Sequence, residues 1–342
     1  MLRSQGTPQA ALGGPLYIDT AARLRTAAFS QCWGRVLAPR YWPTWIGVGV
    51  LRLLALLPFS WMLAVGTLFG AILRRLPLGW ARTARRNIEL CLPELGPTER
   101  NRLLKRHFAS LGIALLEVPL AWWTPQSRID RIISVEGAQH LRDALARGRG
   151  AILLTAHFTP MEMAGRMLAT VGPVNVLYRP TKNEALAYVL GHCRCGLGVR
   201  PIPRDDIRAL ITALKNNEAV WYAPDQSYRK KGAEMVPMFG IPTATNTLTS
   251  RIARMTGAPV LPYFVERLPG IRGYRAVIHP PLENFPGDSP AADAERFHHL
   301  IEARVRAVPE QYLWIHRRFK GLNADYPDYY ARQLPRGSAA SS

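Results

Sequence analysis

A histidine and an acid lie five positions apart in the segment AILLTAHFTPMEMAG, residues 151–165. The apolar run before His157 predicts a strand that ends there, where open α/β sheets hold their ligands. Thr159, Pro160 and Glu162 follow with the pattern of a helix start: an N-cap, a first-turn proline and a capping-box acid. A carboxylate on one ring nitrogen lets a histidine act as a general base, so Glu162 near His157 predicts proton abstraction. The alternative is that Glu162 only caps backbone amides and His157 is structural.

A second polar cluster follows the aromatic strand in VWYAPDQSYRKKG, residues 220–232. If the sheet is parallel, the end of this strand lies on the same side as the histidine. Asp225 and Gln226 come first, and a basic loop with Arg229 and Lys230 comes next. We expect Asp225 to hold one of the basic side chains in place for phosphate binding. The alternative is an Asp turn followed by a solvated basic loop.

Two further arginines are candidates for phosphate binding or oxyanion stabilisation: Arg179 in LYRP and Arg194 in GHCRCG. A surface position is the alternative for each of them. A metal pair is not expected, because His298 and His299 are adjacent and diverge on a helix. The sequence contains neither a glycine-rich phosphate loop nor a GxSxG nucleophile elbow. The aromatic and basic segment EQYLWIHRRFK, residues 310–320, is expected to close the domain near lipid phosphates.

Alternating apolar runs and helical segments after residue 148 predict the elements that position these side chains. Strands are predicted at residues 150–155, 174–178, 219–223, 259–265 and 274–278. Helices are predicted to begin near residues 160, 183, 205 and 246, after an earlier amphipathic helix over residues 97–123. This order predicts the α/β class, with a mostly parallel central sheet flanked by helices.

Residues 53–73, LLALLPFSWMLAVGTLFGAIL, form a run of 21 residues without a charge. A helix of that length covers roughly 30 Å, about the thickness of a bilayer core, so we predict an N-terminal hydrophobic membrane-anchor helix. Pro58 inside the run leaves an alternative, a pair of short helices that lie in one leaflet. The basic residues that follow, beginning with Arg74 and Arg75, predict a cytoplasmic location for the rest of the chain.

The composition of the 342 residues points to an acidic partner, because 44 Lys plus Arg against 24 Asp plus Glu give a formal net charge of +20. Nucleic acid, anionic lipid and an acidic carrier protein all qualify. A charged fraction of 20% and an apolar fraction of 48% argue against a disordered or polytopic membrane protein. Four cysteines are too few for a disulfide framework and predict a reduced, cytosol-facing protein. We expect three parts: a mobile basic leader (1–37), a membrane anchor (38–80) and a catalytic domain (81–342).

Five segments together resemble the late, or secondary, lipid A biosynthesis acyltransferases of Gram-negative bacteria, of the lauroyltransferase type. They are PRYWPTWIGVGVL, RRNIELCLPEL, HFTPMEMAGR, EAVWYAPDQSYRKKG and PEQYLWIHRRFK, within residues 38–320. The His and acid motif is shared with glycerolipid acyltransferases, which have Asp in place of Glu162, whereas the last two segments are specific to the lipid A branch. Residues 159–161 differ from the Gly-Asn-Trp of many members, which leaves the acyl-chain preference open.

The resemblance implies an enzyme on the cytoplasmic face of the bacterial inner membrane. Its reaction is expected to transfer a lauroyl or similar chain from acyl carrier protein to a hydroxyl of a 3-hydroxyacyl chain on Kdo-lipid IVA. It implies no metal and no organic cofactor. His157 and Glu162 match the catalytic pair of the family. The other candidates are expected to bind substrate: Arg179, Arg194, Asp225, Gln226, Arg229 and Lys230.

The expected partners of the positive charge are therefore the anionic inner membrane, the phosphorylated acceptor and the acidic acyl carrier protein thioester, and not nucleic acid. Two alternatives stay open. One is a glycerophospholipid acyltransferase that acts on lysophosphatidate. The other, from a different class, is a non-catalytic, membrane-anchored basic lipid-binding protein.

Overall fold

The computed structural model of the protein describes residues 36–331. Except for its last two residues, the expected leader lies outside the described residues, and so does the chain beyond Ala331. Two short 3-10 helices cover Pro39–Tyr41 and Pro309–Gln311. The α-helices are α1 (Trp42–Leu54), α2 (Phe59–Arg75), α3 (Trp80–Cys91), α4 (Pro97–Trp123), α5 (Gln126–Ile129), α6 (Ala138–Ala146), α7 (Met161–Ala169), α8 (Glu184–Gly196), α9 (Ile207–Lys215), α10 (Leu248–Thr256) and α11 (Pro290–Ala307).

A seven-stranded sheet runs through the centre of the fold, in the order β1-β9-β8-β2-β5-β3-β4. Its neighbouring strands are parallel except for the antiparallel pair β8 and β9. Strands β6 and β7 form a separate antiparallel hairpin. The strands are β1 (Ile133–Glu136), β2 (Ala151–Leu154), β3 (Val174–Tyr178), β4 (Val199–Pro203), β5 (Ala219–Tyr222), β6 (Ala233–Met238), β7 (Ile241–Asn246), β8 (Val260–Arg267) and β9 (Tyr274–Ile278).

The central strands are buried on both faces, so their side chains alternate between two hydrophobic cores. In β2, Ile152 and Leu154 belong to one core, and Ala151 and Leu153 belong to the other. Helices α9, α10 and α11 contribute to the first core, while α7, α8 and the end of α4 contribute to the second. The sheet therefore lies between two helical layers, and the carboxyl ends of β8, β2, β5, β3 and β4 lie along one edge.

The five predicted strands and the predicted helix over residues 97–123 are present, and the α/β class with a mostly parallel sheet is confirmed. The four helices predicted by their starting points begin at Met161, Glu184, Ile207 and Leu248. Strands β1 and β4 and the β6–β7 hairpin were not predicted. Strand β4, VRPIP, contains two prolines, which an edge strand tolerates because one side of its backbone lacks a partner strand.

The uncharged run over residues 53–73 does not form one continuous helix, so the prediction of a single helix is wrong, and two helices separated at Pro58 are present, as in the alternative. Helix α1 ends at Leu54, and α2 begins at Phe59 with Pro58 as its N-cap. Proline lacks the amide hydrogen that would continue α1, and its fixed backbone angle suits a helix start instead. Within residues 36–331, none of the helices is long and apolar enough to cross a membrane alone. Taken together, α2 and α3 have the length and composition of a membrane span, but the two helices are bent by 94° relative to each other.

Helices α1 and α2 expose large apolar side chains at helical spacing. Ile46 and Leu53 on α1 are 68% and 67% exposed, and Trp61 on α2 is 65% exposed. The other exposed members of these two faces are Trp42, Val50, Val65, Leu68, Phe69 and Ile72. We call the exposed apolar side chains of α1 and α2 the apolar face.

The inner side of α2 packs on α4 through glycines. A Cβ atom at Gly112 would overlap the backbone of Gly66 and Gly70, and a Cβ at Gly70 would overlap the backbone of Phe108. Only glycine allows the two helix backbones to approach this closely. Helix α2 is thereby fixed to the helix that reaches the centre of the molecule.

Candidate active site

His157 and Asp225 follow two strands that are neighbours in the sheet. His157 lies in the turn between β2 and α7, and Asp225 lies three residues after β5. Strands β2 and β5 are parallel, with Leu154 opposite Tyr222. Their carboxyl ends therefore meet at the same edge, as predicted from the two segments.

The imidazole of His157 is held by the carboxylate of Asp225. Nδ1 of His157 lies 2.5 Å from Oδ1 of Asp225, and the backbone N–H of His157 donates to Oδ2 at 3.0 Å. Because a carboxylate only accepts hydrogen bonds, Nδ1 carries the hydrogen, and Nε2 of the neutral ring keeps its lone pair. The Asp225 side chain is 2% exposed, whereas that of His157 is 26% exposed and reaches the surrounding cleft.

Burial and pairing act in opposite directions on the two pKa values. Burial of the ring disfavours the imidazolium, but the charge and hydrogen bond of Asp225 outweigh it and raise the pKa of His157 above its ordinary value. Burial also disfavours the Asp225 anion, but His157, with a smaller contribution from Arg318, lowers the pKa of this carboxyl to about 2. The aspartate is therefore an anion at neutral pH.

Glu162 does not orient the histidine, so the predicted contact between them is wrong. Its Oε2 accepts a hydrogen bond of 2.8 Å from the indole of Trp122, and both carboxylate oxygens accept hydrogen bonds from the guanidinium of Arg194. Sequence proximity was misleading because His157 turns toward β5, whereas Glu162 lies in the first turn of α7 beside α4 and α8. The pairing also argues against Arg194 as a free phosphate-binding cation.

Two other local predictions are corrected by the same geometry. Helix α7 begins at Met161 with Pro160 as N-cap and without a side-chain cap, so the capping box is absent. The hydroxyl of Thr159 is hydrogen-bonded to Ser110 at 2.7 Å instead. Asp225 was expected to hold a basic side chain, but its short contact is with His157.

The segment around Tyr312 completes the site and was not predicted as part of it. Phe158 and Tyr312 form an antiparallel bridge, and the N–H of Leu313 donates to the carbonyl of His157 at 2.9 Å. The Tyr312 hydroxyl donates to Oδ2 of Asp225 at 3.3 Å. The sequence predicted that residues 310–320 close the domain, but nothing in the pattern indicated that they reach the histidine.

A buried network ties the turn after β2 to α4 and β8. The guanidinium of Arg267, at the end of β8, donates to Glu117 at 2.6 Å and to the Ser110 hydroxyl at 2.9 Å. Ser110 in turn bonds the hydroxyl of Thr159, two residues after the histidine. Buried charges of this kind are stable only when they are paired, as Arg267 and Glu117 are.

A cleft of about 470 Å³ opens beside His157. Its wall contains four of the predicted substrate-binding residues: Arg179, Gln226, Arg229 and Lys230. Lys230 forms an ion pair with Asp205 at 3.1 Å, while Arg179 and Arg229 have no carboxylate within ion-pair distance among residues 36–331. The cleft thus combines the histidine with exposed positive charge, which suits an anionic ligand.

A second cavity of about 300 Å³ continues from the cleft, between α7, α8 and strands β3 and β4. The two share Met161, Val176, Tyr178, Arg179 and Trp221 among their lining residues. The inner part is mostly apolar, with Gly165, Leu190, Leu197 and Val199, and Glu162, Arg166 and Arg194 complete the wall. We call this second cavity the inner pocket.

The first turn of α7 contains two amides without a hydrogen-bond acceptor among residues 36–331, and one of them belongs to Glu162, which lines the inner pocket. The N–H groups of Phe158, Thr159 and Met161 already donate to backbone carbonyls, whereas those of Glu162 and Met163 have no acceptor in the described part of the chain. Such amides stabilise negative charge at a helix start. Within residues 36–331, no three His, Cys, Asp or Glu side chains converge as a set of metal ligands.

Comparison with known proteins identifies the family. A family model described as bacterial lipid A biosynthesis acyltransferase matches residues 31–321. The chain belongs to this family. The lipid A biosynthesis acyltransferase resemblance is therefore confirmed, and the protein is an enzyme of secondary acyl transfer in lipid A biosynthesis. Neither the glycerophospholipid acyltransferase nor the non-catalytic binder accounts for this match.

Three relatives indicate how close the similarity is. The lipid A biosynthesis palmitoleoyltransferase of Escherichia coli strain K12 is 39% identical over 83% of this acyltransferase and 93% of its own length. The lipid A biosynthesis lauroyltransferase of the same organism is 36% identical over 86% and 97%. A lipid A biosynthesis acyltransferase of Haemophilus influenzae is 33% identical over 83% and 92%.

Proposed function

We propose that this acyltransferase takes its acyl group from an acyl carrier protein thioester and transfers it to the hydroxyl of a 3-hydroxyacyl chain on Kdo-lipid IVA. The observation that carries this proposal is the His157–Asp225 pair at the wall of the cleft, with Nε2 of His157 left as a base. Exposed basic side chains in the same cleft suit an acceptor with phosphates and carboxylates.

The reaction is a direct transfer. Nε2 of His157 takes the proton of the acceptor hydroxyl, and the oxygen attacks the thioester carbonyl carbon. The C–S bond of the tetrahedral intermediate then breaks, and the imidazolium returns the proton to the leaving thiolate. Asp225 stabilises the imidazolium between these steps and fixes the ring tautomer. Because both substrates are held together, proximity lowers the barrier without an acyl-enzyme.

The intermediate needs a donor for its oxyanion. The free amide of Glu162, a residue that lines the inner pocket, is the donor in this proposal, and it acts in a partly desolvated site where such bonds are strong. Arg179, Arg229 and Lys230 bind the anionic groups of the acceptor, and Gln226 adds a polar contact beside the base.

The inner pocket receives the donor acyl chain. Its apolar lining continues from the wall next to His157, so a chain whose carbonyl lies at the base can extend along Met161 toward Gly165. Glu162 is then a positioning residue, because it holds Arg194 in the wall of this pocket and is itself held by the indole of Trp122. The pocket is of a size typical for small-ligand sites.

The apolar face is the proposed contact with the anionic inner membrane. Contiguous exposed apolar side chains at helical spacing are typical of helices that lie at a bilayer surface. Arg74 and Arg75 follow at the end of α2 and suit anionic headgroups. The rest of the chain then lies on the cytoplasmic side, with residues 38–80 as the anchor and residues 81–342 as the catalytic domain.

The test is an assay of the purified full chain with lauroyl acyl carrier protein and di-Kdo lipid IVA, with products identified by mass spectrometry. His157→Gln is expected to lower transfer by about 10²–10⁴-fold, the usual contribution of a general base. His299→Gln, at an exposed position on α11, is the matched control. Near wild-type transfer by His157→Gln would remove the base assignment. Preferred transfer to lysophosphatidate would contradict the acceptor.

A further inference from the structure

Arg318 is a buried cation without a buried carboxylate in its immediate hydrogen-bond shell. It is 3% exposed, and in the part of the chain that the structure describes its hydrogen bonds go to neutral groups and none is an ion pair. Its guanidinium donates to the carbonyl of Ala244 at 2.8 Å and to the hydroxyl of Thr245 at 2.7 Å, both on β7. A charge buried among neutral groups is costly unless an opposite charge lies near.

The opposite charge is Asp225. A small cavity of about 10 Å³ is lined by Arg318 together with Asp225, His157 and Tyr312, so the four side chains enclose one space. Tyr312, six residues before Arg318, donates its hydroxyl to Asp225. The carboxylate thus has His157 on one side, and Tyr312 and the arginine on another.

Two histidines beside Arg318 are held neutral by their own hydrogen bonds. Nδ1 of His298 lies 2.6 Å from the carbonyl of Pro237 and must donate to it, so Nε2 accepts from Arg318 at 3.1 Å. Nε2 of His316 accepts from the backbone N–H of Ser227 at 3.1 Å. Burial, with Arg318 contributing, lowers the pKa of His298 to about 3, and burial lowers that of His316 to about 4. Neither ring competes with Arg318 as a cation near neutral pH.

The remaining groups that face this space carry no charge at neutral pH. Burial raises the pKa values of Tyr312 and of the Cys91 thiol well above their ordinary values. Asn87 and Gln226 are neutral amides in the same wall. Arg318 is therefore the fixed positive charge behind Asp225 within residues 36–331.

We propose that Arg318 is a positioning residue for the His157–Asp225 pair: it fastens the segment that carries Tyr312 to the β6–β7 hairpin and keeps Asp225 an anion throughout the catalytic cycle. The hydrogen bonds to β7 supply the first action, and the positive charge near Asp225 supplies the second. This inference rests on the proposed role of His157 as the base. Arg318 forms no hydrogen bond with His157 in the described part of the chain, so it acts through its charge and through the segment that it holds in place.

The positive charge of Arg318 predicts the direction in which the pH profile of kcat/KM shifts when that charge is removed. In the wild type, kcat/KM falls as pH drops through the pKa of His157, because the protonated ring is no longer a base. Arg318→Met removes a positive charge near the ring, so the imidazolium becomes easier to form. The fall of kcat/KM at low pH, which we call the acid limb of the pH profile, therefore moves to higher pH. The expected shift is a rise of up to about one pH unit. A merely structural role predicts the opposite, because a loosened Asp225 contact lowers the pKa of His157.

The experiment measures kcat/KM against pH for the full chain with lauroyl acyl carrier protein and di-Kdo lipid IVA. Arg318→Met is compared with Arg317→Met, its exposed neighbour, and with Arg318→Lys, which keeps the charge but loses the fork of hydrogen bonds. We expect an upward shift for Arg318→Met, no shift for Arg317→Met, and a lower kcat with an unshifted limb for Arg318→Lys. Thermal unfolding checks that each variant folds.

An acid limb that stays in place or moves to lower pH in a folded Arg318→Met enzyme would overturn the proposal. If that variant does not fold, Arg318→Lys decides, since a limb moved to lower pH would leave only the structural role. Failure of the proposed function has a different signature. In that case His157→Gln retains activity and the wild-type acid limb, whatever Arg318 does.

Discussion

The contact between His157 and Asp225 determines how the base responds to pH. Burial lowers the pKa of the histidine, but the aspartate outweighs it and raises this pKa above its ordinary value, so the ring becomes a base only at higher pH than an unpaired histidine. The rate is then expected to rise with pH through a pKa above the ordinary histidine value. The same contact fixes which ring nitrogen holds the hydrogen, so charge and tautomer depend on one carboxylate.

The Asp225→Asn substitution tests the two effects of this carboxylate, on the pKa of His157 and on its tautomer. Loss of the negative charge leaves burial as the dominant influence, so the pKa of His157 falls and the acid limb of kcat/KM moves to lower pH. We also expect kcat to fall by up to about 10⁴-fold, because an amide can hold the wrong tautomer. A pH–rate profile with both substrates measures this. Asp143→Asn, exposed on α6, is the control, and an upward shift of the limb for Asp225→Asn would contradict the assignment.

Gly165 is the residue at which the proposed chain-length preference is tested. A Cβ there would lie 3.5 Å from the Trp221 ring, so a leucine side chain must extend into the inner pocket. If Gly165→Leu shortens the inner pocket by two methylene groups, burial of a longer donor chain loses about 1.6 kcal/mol. The preference for that donor over a shorter one then changes roughly 15-fold.

The measurement is a competition among acyl carrier protein thioesters of increasing chain length, with the lipid products resolved by mass spectrometry. Gly172→Leu is the control, since nothing lies within 4 Å of a Cβ at that position. An unchanged product distribution for Gly165→Leu would place the acyl chain outside the inner pocket.

At the scale of elements, the parallel strands were predictable because they are buried on both faces and are therefore continuous apolar runs. The position of Asp225 near His157 followed from the parallel order, but the contact between them did not. That contact requires β2 and β5 to be adjacent, although β3 and β4 lie between them in sequence. Tyr312 was missed for the same reason, since the pattern around it contains no signal for a partner 154 residues earlier, Phe158.

The close packing of α2 on α4 predicts that a side chain larger than hydrogen at this contact lowers the stability of the fold. Gly112→Ala places a Cβ into the backbone of α2, and overpacking of this kind costs about 1–3 kcal/mol or more. Thermal unfolding of the detergent-solubilised protein is expected to show a lower Tm. Gly47→Ala on α1 is the matched change, because a Cβ there has nothing within 4 Å and alanine favours a helix by about 0.5–1 kcal/mol. Equal Tm values for the two variants would contradict the packing.

At the scale of the whole molecule, the net charge of +20 and the apolar face act on the same proposed partner, an anionic bilayer. Positive charge attracts the protein to the surface and is screened by salt, whereas apolar burial is not. Binding to anionic vesicles is therefore expected to weaken with salt without being abolished.

Ile46→Asp combined with Leu53→Asp tests the attachment. Each change removes apolar area worth about 1.5–3 kcal/mol on burial, so the pair is expected to lower vesicle binding by at least about 100-fold. Flotation with vesicles that contain phosphatidylglycerol gives the bound fraction. Met255→Asp on α10, where the side chain is 64% exposed, is a matched control because it lies outside the apolar face. Equal binding by the double variant and the control would refute membrane contact through α1.

The bridge between Phe158 and Tyr312 has a consequence for the synthesis of the protein. A ribosome adds about 5–20 residues per second, so on the order of ten seconds pass between the addition of these two residues. During the later part of that interval, after Asp225 has been added, the histidine and Asp225 exist without the segment that closes the site behind them. The nascent enzyme therefore cannot complete its catalytic centre until nearly the entire chain has been translated, which delays activity until the apolar face has long since emerged.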